Sequence, residues 1–303
     1  MPVDMPVLMA ECRTKLLTDT PKDLAKSLDF YRDLLNRALE KSDSENGMCI
    51  YQIDKCKEID AGAILLLMHA GTVLQQRGWK TRISGEGEAM DLVVKHLEHF
   101  LRGKKPKISH EEARSDGDYL LRNILDRDSM VNEIAEWADL VQNLMSAPEE
   151  DVALWQFQIS EVTTNGFQHG LRETVSHPQV LVAGKAYPEK KTVQLAVWDN
   201  GLSIPATIEQ VSLQRKMAAK DGNRIRFACR SGITSKSVPT NQGAGLYSLV
   251  ETVKQNDGNL LILSRNGLFH ATKERETIKN FDLSSVPLPF LQGTLTVVNL
   301  RVR

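Results

Sequence analysis

The sequence predicts an α/β protein with two domains. Its 303 residues exceed the length of a typical single domain, and 41% apolar with 25% charged residues is the composition of a folded globular chain. Strand and helix patterns alternate in the first third, which indicates parallel strands joined by crossover helices. A second series of helices and strands follows a charged stretch.

The first third begins irregularly and then predicts a helix. Asp19, Thr20 and Pro21 form a helix-start signal, and apolar residues recur at helical spacing in KDLAKSLDFYRDLLNRALEK. Four further segments alternate between strand and helix patterns: MCIYQID, AGAILLLMHAGTVLQQRG, WKTRISG and DLVVKHLEHFLRG.

The segment GKKPKISHEEARSDGD, residues 103–118, is charged and contains Gly and Pro. It lacks apolar periodicity, which is typical of a linker. We therefore predict an α/β domain at 1–105, a linker at 106–119 and a second domain at 120–303.

The second domain starts with two predicted helices. MVNEIAEWADLVQNLM has helical periodicity, and Ser146 and Glu149 have the spacing of a capping box at the start of the next helix. Residues 206–242 are polar and predicted to be irregular, and GLYSLVETVKQ predicts a helix. Four segments predict strands: VLVAGKAY, TVQLAVWDN, NLLILSRNG and GTLTVVNLRV.

Charge and cysteine content argue against several classes of function. The formal net charge of -1 gives no overall attraction to nucleic acid or to a membrane surface, and no apolar run is long enough to span a bilayer. The 4 cysteines show no CxxC spacing, so neither a zinc site nor a disulfide framework is expected. We expect a cytoplasmic protein that binds neither nucleic acid nor membranes.

One predicted helix of the second domain, in ISEVTTNGFQHG, carries residues suited to chemistry. Glu161, Asn165 and His169 stack along one helical face, while apolar neighbours including Phe157 are expected to face a core. An Asn oxygen can ligate Mg²⁺, and a Glu can orient or deprotonate a nucleophile. The same spacing is also typical of a solvated helix face.

A second segment, AVWDNGLSIP, ends an apolar strand at Asp199, which Asn200 and Gly201 follow. A carboxylate at a strand end can point into a pocket and accept a hydrogen bond from an exocyclic amine. The same residues also form a strong turn signal.

A third segment, NQGAGLYSLVETVKQ, places Gly243 and Gly245 before a helix that begins near Leu246. Backbone N–H groups at such a helix start can approach phosphate oxygens. Because position 248 is Ser and no GKS or GKT follows, neither a dinucleotide fingerprint nor a P-loop is predicted.

The order of these segments resembles the ATP-binding domain shared by gyrase, heat-shock chaperones, histidine kinases and MutL (GHKL). It runs from ExxxNxxxH on a helix to DxG on a strand, a long polar stretch and GxGL opening a helix. The resemblance implies a Bergerat-type α/β sandwich, in which helices cover one face of a mixed sheet. It also implies that Glu161 is catalytic, that Asn165 binds Mg²⁺ and that Asp199 accepts the adenine amine of ATP.

The resemblance implies further contacts with ATP. The glycines bind phosphate, a lysine in SGITSK is a phosphate contact, and a threonine in the late strand GTLTVVNL binds adenine. These cofactor-binding positions are His169, Gly201, Lys236, Gly243, Ala244, Gly245, Leu246 and Thr294. Residues 206–242 correspond to the ATP lid, and Ser203 occupies the place of the second glycine in the DxGxG box.

The first domain resembles a STAS domain, the fold of anti-sigma-factor antagonists, in CIYQIDKCKEIDAGAILLLMHAGTVLQQRGWKTRISG. Phosphorylatable members of that family carry Ser after the Asp at the helix start, whereas here Ala61 and Gly62 follow Asp60. An ordinary α/β fragment is the alternative interpretation.

These resemblances imply an intracellular regulator that binds Mg-ATP and acts on a protein partner, similar to bacterial anti-sigma-factor serine kinases. A homodimer is left open. One alternative is an ATPase subunit of a multi-protein complex that uses lid closure. Another is a nucleotide-binding interaction module without catalysis.

Overall fold

The computed structural model describes residues 7–11, 17–18, 20–40, 47–52, 59–84, 119–124, 127–170, 180–210, 220–230, 245–281 and 293–303. Contacts between Cα atoms divide the chain into two compact units, Met1–Tyr119 and Leu120–Arg303, called unit 1 and unit 2. Residues 106–118 of the predicted linker lie outside the described residues, and so does DLVVKHLEHFLRG.

Unit 1 contains a three-stranded parallel sheet in the order β1-β2-β3. Its strands and helices are β1 (Val7–Glu11), α1 (Pro21–Glu40), β2 (Met48–Gln52), α2 (Ala61–Gln76) and β3 (Lys80–Ser84). The predicted parallel pairing of β2 and β3 is confirmed, and so are the two predicted helices that lie among the described residues. The prediction of an irregular start was wrong, because β1 is short and becomes recognisable only through its pairing with β2.

The helices of unit 1 begin at side-chain caps. Thr20 Oγ1 accepts a hydrogen bond from Asp23 N at 3.2 Å, and Asp60 accepts one from Ala63 N at 2.8 Å. The buried Asp60 carboxylate also accepts from Thr18, whose hydroxyl lies 3.0 Å away. Asp60 therefore fixes both the start of α2 and the chain before α1.

Unit 2 contains a seven-stranded sheet in the order β4-β5-β6-β10-β7-β8-β9. The strands are β4 (Tyr119–Ile124), β5 (Val180–Tyr187), β6 (Thr192–Asp199), β7 (Asn259–Ser264), β8 (Gly267–Thr272), β9 (Glu276–Asn280) and β10 (Thr294–Arg301). All neighbouring pairs from β5 through β9 are antiparallel. The four predicted strands of this domain are confirmed, whereas β4, β8 and β9 were not predicted.

The helices of unit 2 pack on one face of this sheet. They are α3 (Arg127–Met145), α4 (Glu149–Gly170), α5 (Ile204–Gln210), α6 (Asp221–Ala228) and α7 (Gly245–Gln255). Trp155, Leu195, Val253 and Phe269 belong to the core between the helices and the sheet. The alternate strand residues, such as Leu181 and Trp198, point to the opposite face and are also buried. A mixed α/β architecture is thus confirmed.

Several local predictions for unit 2 need correction. The stretch predicted to be irregular at 206–242 contains part of α5 and all of α6. Phe157 is 51% exposed instead of facing the core, because it lies on the solvent side of α4. Ser146 has φ 50 in the turn between α3 and α4, and α4 begins only at Glu149. Ser146 therefore lies three residues before the first helical residue, too far away to be the N-cap of α4.

Candidate functional site

Helix α4 presents its polar and apolar residues in different directions. Ile159 and Val162 are buried in the core of unit 2, whereas Glu161 and Asn165 are half-buried. The buried Thr163 hydroxyl donates a hydrogen bond to the Ile159 carbonyl oxygen at 2.6 Å and is thus paired within the helix. Glu161 and Asn165 remain partly accessible one helical turn apart.

The first residue of α7 lies against these two side chains. A β-carbon at Gly245 would sit 3.0 Å from Glu161 Oε2 and 3.2 Å from Asn165 Nδ2. A second contact holds the two helices side by side, since Gln158 Nε2 donates to Thr252 Oγ1 at 2.7 Å. The predicted acidic and amide residues of α4 therefore meet the glycine that opens α7.

Asp199 belongs to a row of directly paired residues across the sheet. Val180 pairs with Asp199, Asp199 with Thr294, and Thr294 with Ser264. Directly opposite residues point to the same face, and here that face is the one covered by helices. The Ser264 and Thr294 hydroxyl oxygens lie 2.9 Å apart, which fixes the Thr294 side chain beside Asp199.

Gly166 brings α4 down onto this row. A β-carbon at Gly166 would lie 3.3 Å from both Asp199 Cβ and Val180 Cγ1, which is closer than most side chains tolerate. Asn165 and Asp199 are therefore placed on neighbouring elements, with only a glycine between helix and strand. Gly166 itself is the signal of this approach, because a glycine inside a helix is unfavourable without a packing reason.

Asp199 is buried with 8% of its surface exposed. Its Oδ1 accepts a hydrogen bond from Gly201 N at 3.0 Å. Burial raises the pKa of Asp199 to about 7, and the bond from Gly201 only partly opposes that rise. The carboxyl group is thus held in a low-dielectric position where a ligand's donor would form a strong hydrogen bond.

The segment after Asp199 is a strand-to-helix connection and not a hairpin turn. Ser203 Oγ accepts a hydrogen bond from Ala206 N at 3.2 Å and caps α5. Ser203, which departs from the glycine of the resembling motif, therefore has a local structural role. Gly293, with φ 91, passes so close to the Asp199 carbonyl that a β-carbon there would overlap its oxygen.

Part of the predicted site falls outside the described residues. Lys236, Gly243 and Ala244 lie in 231–244, and the His169 side chain is likewise not described. Leu246 is half-buried and packs against the core at the first turn of α7. The sequence interpretation missed four residues that shape the site: Gln158, Gly166, Ser264 and Gly293.

Among the described residues, no group of three or more His, Cys, Asp or Glu side chains could hold a metal ion. No described helix has the length and apolar character needed to cross a membrane. Neither the family models nor the curated proteins compared with this chain give a match.

Proposed function

We propose that unit 2 binds Mg-ATP as a GHKL-type domain of Bergerat architecture. One observation carries the proposal: three sequence motifs that lie far apart along the chain meet at one end of the sheet. Gly245 faces Glu161 and Asn165, Gly166 packs on Asp199, and Asp199 pairs with Thr294. This convergence does not follow from the secondary structure of any one segment.

The residues present suit both ends of ATP. At the sheet, the Asp199 carboxylate would accept the adenine amine, with Thr294 and Gly201 beside it. At the helices, the Asn165 amide oxygen would ligate Mg²⁺, and the start of α7 offers backbone N–H groups for phosphate. When bound, Mg²⁺ would neutralise negative charge on the triphosphate.

Glu161 is the residue proposed for catalysis. It lies one turn before Asn165 on α4 and next to Gly245, so its carboxylate would be near the terminal phosphate. From there it can hold or remove the proton of an attacking hydroxyl or water. His169, Lys236, Gly243, Ala244 and Leu246 are proposed as further contacts with ATP.

For the whole chain we propose a cytoplasmic, ATP-dependent regulator that acts on a protein partner, with a STAS-like unit 1. The position after Asp60 suits packing and not modification, since Asp60 and Ala61 are both fully buried. An ATPase subunit or a binding-only module remains the alternative. Single turnover with γ-labelled ATP separates them: labelled protein supports a kinase, free phosphate an ATPase, and binding without turnover the module.

The binding proposal is tested by calorimetry with and without Mg²⁺. Wild type is expected to bind ATP, and Asp199→Asn to bind it about tenfold or more weakly, since a charge-assisted hydrogen bond is lost. Asn165→Ala should lose the Mg²⁺-dependent part of the affinity. Glu161→Ala should keep binding and lose turnover. Wild type without affinity at millimolar ATP contradicts the proposal.

A further inference from the structure

A cavity lies on the side of α7 that faces away from Glu161 and Asn165. Its volume is about 290 Å³, and α6, α7, β8 and β9 all contribute residues to its lining. Typical pockets for small-molecule ligands start near ~300 Å³. The cavity is therefore sized for one or two side chains and is small for a nucleotide.

Two arginines at this cavity lack a described carboxylate partner. Arg226 and Arg230 are exposed, stand four residues apart at the end of α6, and form no ion pair with any described residue. The Arg230 guanidinium lies 5.9 Å from the centre of the Phe227 ring. Arginine presents a planar fork that suits carboxylate and phosphate groups.

The other charged residues of the cavity are one lysine and two glutamates, with a net charge of -1. Lys254 Nζ lies 3.0 Å from Glu276 Oε1 and 3.7 Å from Glu251 Oε1. Together with Arg226 and Arg230 the lining carries a net charge of +1, which one carboxylate would neutralise and a dianionic phosphate would exceed. The arginine pair is thus better suited to a carboxylate.

The floor of the cavity is apolar. Val250 and Phe269 are buried among its lining residues, and Tyr247 is 38% exposed at its rim. An exposed aromatic side chain next to arginines is the composition found at the centres of protein–protein contacts. An apolar side chain would fill the floor while a neighbouring carboxylate pairs with the arginines.

We propose that this cavity docks an acidic segment of a partner protein. The segment would place a carboxylate on Arg226 and Arg230 and an apolar side chain against Val250 and Phe269. None of the residues that line this cavity is among the Mg-ATP contacts proposed above. Arg226 and Arg230 do lie within 206–242, the stretch that corresponds to the ATP lid in the resemblance, so the test is made without nucleotide.

The test uses fluorescence polarisation with the full chain and no nucleotide. The probe is a fluorescein-labelled peptide with glutamates on both sides of a Leu-Phe pair, and a second peptide carries glutamine in place of each glutamate. Wild type should bind the acidic peptide, with affinity that falls as salt increases. The double variant Arg226→Glu, Arg230→Glu should bind it about tenfold or more weakly.

Lys279→Glu is the matched control, because Lys279 is an exposed cation on β9 that alternates with Glu276 and Ile278 and so faces away from the cavity. It should bind like wild type. The milder double variant Arg226→Gln, Arg230→Gln keeps the test valid if charge reversal unfolds the protein. Equal binding by either arginine variant, equal binding of the glutamine peptide, or no binding at millimolar peptide overturns the proposal. Tighter competition by pyrophosphate than by the acidic peptide also overturns it, in favour of a phosphate site.

Discussion

The Asp199 side chain couples the stability of unit 2 to pH. Its pKa of about 7 results mainly from burial, so the folded protein keeps a proton on this carboxyl that the unfolded chain releases near its ordinary pKa of 3.8. The contribution to stability is complete below about pH 4 and is lost as pH rises through 7. A buried carboxylate at alkaline pH therefore works against the fold.

The measurable consequence is a difference between wild type and Asp199→Asn in denaturant unfolding. Between about pH 5 and pH 8, wild type should lose roughly 2–3 kcal/mol more unfolding free energy than the variant does. Asparagine has no proton to lose, so other titrating groups act equally on both proteins. Parallel pH profiles for the two proteins would show that Asp199 is ionised at neutral pH.

Substitution by alanine should have different effects at Gly245 and at Gly293: loss of Mg-ATP affinity at the first and loss of stability at the second. At Gly245, the new β-carbon meets the ends of two side chains, Glu161 and Asn165, which can rotate away. Gly245→Ala should therefore fold with nearly wild-type thermal stability and lose Mg-ATP affinity. The displaced groups are those proposed to hold the metal and the terminal phosphate.

At Gly293, the β-carbon would meet the backbone of Asp199, which cannot move aside, and φ 91 disfavours any side chain. Gly293→Ala should lower the unfolding free energy by more than about 2 kcal/mol in thermal or denaturant unfolding.

The prediction for Gly245 is checked by calorimetry. A Gly245→Ala protein with unchanged Mg-ATP affinity would argue against the position assigned to the phosphates.

At the scale of elements, the contact between α4 and α7 sets the geometry of the candidate site. Gln158 is 1% exposed, its Nε2 is bonded to Thr252 Oγ1, and its Oε1 has no hydrogen-bond partner among the described residues. The bond ties the helix of Glu161 to the helix that Gly245 opens. We expect this hydrogen bond to affect nucleotide binding by holding α4 and α7 in position, since neither side chain is proposed to contact the nucleotide.

Thr252→Val removes the hydroxyl with little change in shape. It leaves a buried amide donor unpaired, so we expect a loss of about 1–3 kcal/mol in unfolding free energy and weaker Mg-ATP binding. Adding Gln158→Leu should recover part of the stability, because both polar partners are then gone. The double variant should lose less unfolding free energy than the two single variants lose together. A larger loss would contradict the interpretation of Gln158 and Thr252 as a hydrogen-bonded pair.

The helices and strands of unit 2 also show which parts of the fold can be predicted from the sequence. The bounds of α7 and the end of β6 at Asp199 follow from periodicity and were predicted. The β8–β9 hairpin was not, because Glu276–Asn280 is largely polar and is recognised only through its pairing with β8. Gly166 and Ser264 were missed for the same reason: their roles depend on contacts with residues far along the chain.

At the scale of the whole molecule, the two units have separate sheets and separate stabilising contacts. In unit 1, Asp60 accepts hydrogen bonds from Thr18 and Ala63 while fully buried. Asp60→Ala leaves those donors unpaired, so it should destabilise unit 1 by about 2–4 kcal/mol. Asp29→Ala, at an α1 position with a 65% exposed side chain, is the matched control and should have little effect.

Calorimetric unfolding distinguishes independent units from one cooperative structure. If the units unfold separately, Asp60→Ala lowers one transition only, and Mg-ATP at about 100 times its dissociation constant adds about 2.7 kcal/mol to the other transition only. The two perturbations would then act on different peaks and add when combined. A single transition that responds to both would show that the units are energetically coupled, and nucleotide binding to unit 2 would then change the stability of unit 1. Such coupling is the property a regulator needs in order to transmit its nucleotide state along the chain.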